Sequence, residues 1–90
     1  MKNNYYIYSD NTSTFPIHNG IYIHNLLGDE FYIVEEGVGT YIWSQLDGSK
    51  NVEQIIAEVA RICRLSKDEI EQDILEFIEK LLEKKLIEVK

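Results

Sequence analysis

Asn19-Gly20-Ile21-Tyr22-Ile23-His24-Asn25-Leu26-Leu27-Gly28-Asp29-Glu30-Phe31-Tyr32-Ile33-Val34 is the stretch that decides the fold. Two runs rich in β-branched and aromatic residues flank Gly28-Asp29, which is the pattern of a β-hairpin. In the first run Ile21, Ile23 and Asn25 fall on one face, and Asn19-Gly20 supplies a turn before it. Upstream, Tyr5-Tyr6-Ile7-Tyr8 has the same strand chemistry and is followed by a polar turn cluster from Ser9 to Thr14. Phe15-Pro16-Ile17 reads as a connection, because proline cannot donate to a ladder. These signals predict a three-stranded antiparallel meander at about 4–8, 20–27 and 30–35.

Downstream the period changes from strand to helix. Val38-Gly39-Thr40 opens a first helix that runs through Trp43 to about Leu46, where Asp47-Gly48 stops it. Asn51 caps a second, from Val52 to about Cys63, with Ile55, Ile56, Val59, Ile62 and Cys63 at helical spacing. Ser66 and Glu69 have capping-box spacing for a third, from Lys67 to about Lys84. Its apolar stripe is Ile70, Ile74, Phe77, Ile78, Leu81 and Leu82. Leu86-Ile87-Glu88-Val89 closes the chain as an extended tail. A lone meander cannot bury itself, so the helices must cover one of its faces. The expected class is α+β, winged-helix-like, in one domain spanning residues 1–90.

Composition narrows the function. Sixteen Asp and Glu face nine Lys and Arg, a formal net charge of −7. Nucleic-acid and anionic-membrane binding both run on cations, so neither is expected. A basic peptide or a basic partner protein is compatible. One cysteine, Cys63, cannot close a disulfide or a four-ligand zinc site. No apolar run approaches the roughly 20 residues of a membrane span, and Met1 to Tyr5 lacks a signal peptide's apolar core. The expected location is the cytoplasm.

Catalytic constellations are missing from the sequence. His18 and His24 make no i, i+4 pair and read as surface or strand-packing residues. Cys63 follows an apolar stripe and reads as a small core residue. No phosphate loop, HExxH or CxxC is present. The expectation is a chain without enzymatic activity, metal or organic cofactor. The carboxylates of the third helix read as a solvated face.

Gly39-Thr40-Tyr41-Ile42-Trp43-Ser44-Gln45-Leu46-Asp47-Gly48 is a helix whose Ile42, Trp43 and Leu46 plug one end of the core. It is followed by Val52 and Ile55, then Asp73-Ile74, Phe77-Ile78 and Leu81, and finally Leu86-Ile87. In order and spacing these elements resemble the PqqD family, small proteins and fused domains that recognise ribosomally made precursor peptides. The resemblance covers about residues 20–89; Met1 to Asn19 match only loosely. One departure is Val34-Glu35-Glu36, where family members often have Leu-Asn after the Tyr-rich strand.

The resemblance implies a mechanism. The leader segment of a precursor peptide adds as an extra strand to the edge strand, here Phe31, Tyr32, Ile33, Val34 and Glu35. It lies against the third helix and is presented to a maturation enzyme, a radical-SAM enzyme or a leader peptidase. The helix wall so implied comprises Glu71, Leu75, Ile78 and Leu82. Leu75 widens the apolar arc beside Ile78 and Leu82, although it reads equally well as a lone exposed leucine. Lys80 and Lys84 flank the opposite margin and can pair with leader carboxylates. Two rivals remain: a winged-helix DNA-binding protein, opposed by the acidic third helix, and a structural subunit of a modification complex.

Overall fold

The computed structural model describes residues 2–90 as an α+β domain. Its strands are β1 (Tyr6–Tyr8), β2 (Thr12–Ile17), β3 (Gly20–Asn25), β4 (Glu30–Glu35) and β5 (Ile87–Val89). The helices are α1 (Val38–Ser44), α2 (Val52–Cys63) and α3 (Lys67–Glu83). A three-stranded antiparallel sheet followed by three helices is the expected class.

The meander's first strand differs from the expectation. It is β2, built from the residues read as turn and connection, and the sheet order is β2-β3-β4. The run at 5–8 instead gives β1, which pairs antiparallel with β5, the residues read as a tail. The reason is reach: His18-Asn19 makes a two-residue turn that brings Ile17 opposite Gly20, so β2 zips onto β3 by local closure. Tyr6-Ile7-Tyr8 finds its partner only once α3 has returned the chain.

Pro16 is tolerated in β2 because it sits on the outer rim of the sheet. Leu26 N–H donates to Asn11 C=O at 2.8 Å. Alternation along the ladder then turns Ser13, Phe15 and Ile17 toward β3, and Thr12, Thr14 and Pro16 outward. The missing N–H is one that β3 never needed.

One face of the sheet meets the helices. Ile23 and Val34 are buried there, with Ile42, Trp43, Leu46, Ile55, Ile56, Ile74, Ile78 and Leu81 in the same core. Asn25 is the buried polar residue of β3, and its amide is satisfied on both sides. Nδ2 donates to Lys85 C=O at 2.9 Å, and Oδ1 accepts from Leu27 N–H at 3.0 Å. This ties the end of β3 to the end of α3. Trp43 is 7% exposed and packs on Tyr8, with ring centroids 4.7 Å apart. Tyr8 Oη donates to Trp43 C=O at 2.5 Å, which fixes the β1–β5 ribbon to α1.

The caps follow the sequence with two differences. Asn51 Oδ1 accepts from Gln54 N–H at 2.8 Å while Gln54 Oε1 accepts from Asn51 N–H at 2.8 Å, so the reciprocal box is on α2. On α3, Ser66 Oγ accepts from Glu69 N–H at 3.3 Å. Ile62, expected in the α2 stripe, is exposed, whereas Ala60 and Cys63 in the same turn pack on the core. Gly48 ends the α1 region at φ +88°, where a Cβ would lie 2.8 Å from Ile7 Cγ2.

Candidate functional site

β4 is an edge strand. Among the described residues it pairs with β3 alone, in the register Ile21↔Val34 and Ile23↔Tyr32. Glu36 N–H donates to Asn19 C=O at 2.7 Å, just beyond the last paired residue. Antiparallel alternation therefore turns Val34, Tyr32 and Glu30 toward β3 and leaves the N–H and C=O groups of Phe31, Ile33 and Glu35 facing outward. Those groups are a ready template for another strand. At the opposite edge, Pro16 removes one donor and Thr12 N–H is used in a turn with Ser9 C=O at 3.1 Å. The β4 edge is the continuous one.

α3 runs beside that edge in the opposite direction. Tyr32 faces Phe77 with ring centroids 6.2 Å apart, and Lys84 Nζ lies 3.5 Å from Glu30 Oε2. Phe77 also closes on α1: a Cβ on Gly39 would lie 2.8 Å from Val34 Cγ1 and 3.9 Å from Phe77 Cζ. Gly39 thus allows α1, β4 and α3 to converge. Past Phe77, at the far end of β4, an apolar cleft of ≈ 350 Å³ opens between α1, α2 and α3. Ile42, Val59 and Ile74 form its floor and Val38, Leu65 and Asp73 its rim.

The structure divides the residues picked out from sequence into groups. Phe31 through Glu35 all lie on β4, with Phe31 and Ile33 half-exposed and Val34 buried. Ile78 is 0% exposed and belongs to the core. Glu71 pairs with Lys2 Nζ at 2.5 Å, on the flank toward the N-terminal segment. Leu75 and Leu82 share that flank by helical phase and are partly buried. The flank of α3 that meets β4 carries Asp73, Phe77, Lys80 and Lys84. Periodicity alone does not separate the two margins of one wide stripe; the Tyr32–Phe77 contact does. Asp73, Phe77 and the cleft residues Val38 and Leu65 lie outside the site expected from the sequence. The one sequence signal for them is an aromatic, Phe77, at the margin of the stripe.

Among the described residues no group of three or more His, Cys, Asp or Glu is placed to hold a metal ion. Among those residues no helix is long and apolar enough to cross a membrane. Gln72, Glu76, Glu79 and Glu83 form the exposed side of α3, a surface that repels phosphate backbones.

A three-stranded antiparallel meander with one open edge set beside its third helix is a mixed α+β fold. The family model for coenzyme PQQ synthesis protein D matches residues 25–87, and this chain belongs to that PqqD family. The solved structure of TbiB1 in complex with the TbiA(beta) leader peptide shares the fold, with a TM-score of 0.79 and 24% identity over 91% of this chain and 94% of that one. No curated protein matches the chain in sequence.

Proposed function

We propose that this protein is a non-catalytic binding module that captures the leader segment of a ribosomally synthesised precursor peptide by strand addition to β4. The outward, unpaired N–H and C=O groups of Phe31, Ile33 and Glu35 carry the reading, because main-chain pairing at such an edge supplies affinity with little demand on sequence. Membership of the PqqD family supports it, as does the shared fold with TbiB1, whose structure contains a leader peptide.

In this reading the leader lies between β4 and the Asp73–Phe77–Lys80–Lys84 flank of α3. Its alternate side chains turn toward Tyr32 and Phe77, and an apolar residue enters the cleft floored by Ile42 and Ile74. Lys80 and Lys84 receive acidic leader residues at one end, and Asp73 a basic one at the other. The module then presents the peptide to a maturation enzyme, a radical-SAM enzyme or a leader peptidase, in the cytoplasm. Calorimetry with the leader peptide encoded beside this chain tests the proposal. The expected result is a one-to-one complex with Kd of about 1 μM or tighter, and no heat at high peptide concentration counts against it.

A further inference from the structure

The face of the sheet turned away from the helices is apolar and uncovered. Phe15 is 51% exposed, Ile17 45%, Phe31 52% and Ile33 51%. Tyr22 sits between Phe15 and Phe31, with centroids 6.3 Å and 5.6 Å away. Side-chain alternation sets all five residues on one surface. A contiguous aromatic and aliphatic patch of this kind, rimmed by polar groups, marks an interaction site.

The charge of the rim selects the occupant. Residues 3–49 contain no Lys or Arg, while the nine cations occur at position 2 and from 50 onward, outside the three-stranded sheet. Asp29 lies at one end of the patch, where its Oδ1 is 3.1 Å from His24 Nε2. Glu35 and Glu36 lie at the other end, beside Ile17 and the β2–β3 turn. A second copy would bring one acid-rimmed patch against another, a like-charge arrangement that costs affinity. An apolar surface ringed by Lys and Arg is the complement.

We infer that this outer face is where the module docks on its maturation enzyme, through an enzyme surface that is apolar at its centre and basic at its rim. The inference rests on the peptide-presentation reading above. It assigns separate surfaces to the two partners: the leader takes the β4 edge and the helix side, and the enzyme takes the opposite face, so both are held at once.

The test measures binding of the maturation enzyme encoded beside this chain to the immobilised module, by biolayer interferometry, with calorimetry of the leader in parallel. Phe15→Ser with Ile17→Ser, on the strand farthest from the leader edge, should weaken the enzyme by about tenfold or more and leave leader affinity unchanged. Asp29→Asn with Glu36→Gln leaves the apolar packing intact and guards against a folding defect in the first variant. It should weaken the enzyme by about two- to fivefold and flatten the salt dependence of binding. Unchanged enzyme affinity in the folded variants overturns the inference. So does sedimentation of the wild type as a dimer that Phe15→Ser dissolves, which would assign the face to a second copy. A wild type that binds the enzyme but no leader would instead overturn the peptide reading, and the two failures are told apart.

Discussion

Tyr32 on β4 and Phe77 on α3 meet with ring centroids 6.2 Å apart and planes tilted by 39°. They bring the open edge of the sheet against one flank of α3, the flank that a peptide added at that edge would touch. Phe77→Ala should therefore weaken the leader by about 1–2 kcal/mol, or roughly five- to thirtyfold. Leu75→Ala, on the other flank, should change it less than about twofold. Calorimetry of both variants checks this, and equal losses would return the peptide to the Glu71–Leu75–Leu82 side.

Ile33 and Val34 are adjacent yet should respond oppositely to proline. The Ile33 N–H faces outward, so Ile33→Pro spares the β3–β4 ladder while removing a donor from the peptide edge. Its melting temperature should stay within a few degrees, and leader affinity should fall by about tenfold or more. The Val34 N–H faces β3, so Val34→Pro should break the hairpin and show as lost circular dichroism. A folded Ile33→Pro variant that binds as tightly as wild type would mean the leader does not add to β4.

Trp43→Ala should act on stability. The ring is buried, packs on Tyr8, and its residue's carbonyl accepts the Tyr8 hydroxyl. Removing a buried aromatic ring costs about 3–5 kcal/mol, a large share of what a domain of this size holds. A thermal melt reads the loss directly, and an unchanged midpoint would contradict the packing described.

The pH profile of stability should contain a contribution from Glu58. Lys50, hydrogen-bonded to it at 2.8 Å, and then Tyr41 hold its carboxyl below the ordinary value of 4.5. A depressed folded value means that the stabilisation is present above the unfolded value and is lost as pH falls through the folded one. Melting temperatures at pH 7 and pH 3 should therefore differ less in Glu58→Gln than in wild type. An identical acid loss in both would show that the Lys50–Glu58 pair contributes nothing to it.

Much of this architecture is legible in the residues. The helices carry their own punctuation in Asn51, Ser66 and Gly48, and the β3–β4 hairpin has strand runs on both sides of Gly28-Asp29. β2 is harder to read, since Thr12-Ser13-Thr14 resembles a turn and Pro16 argues against a ladder; only the outward orientation of position 16 reconciles the proline with a strand. The partner of β1 is hidden because Tyr8 and Ile87 are joined by the return of the whole chain. β4 as the edge was legible through a family resemblance, whereas the α3 flank depends on helix rotation, which a stripe running from Phe77 to Leu82 leaves open.

Pro16 also bears on how far strand addition can go. A sheet with two open margins can be extended from both, and copies of it can stack margin to margin into a fibre. With a proline on the β2 side, growth favours a single direction, and two copies meeting β4 to β4 would form a closed pair. The residue that interrupts the β2 pattern removes a donor from that margin, so a strand added to this sheet is favoured at β4.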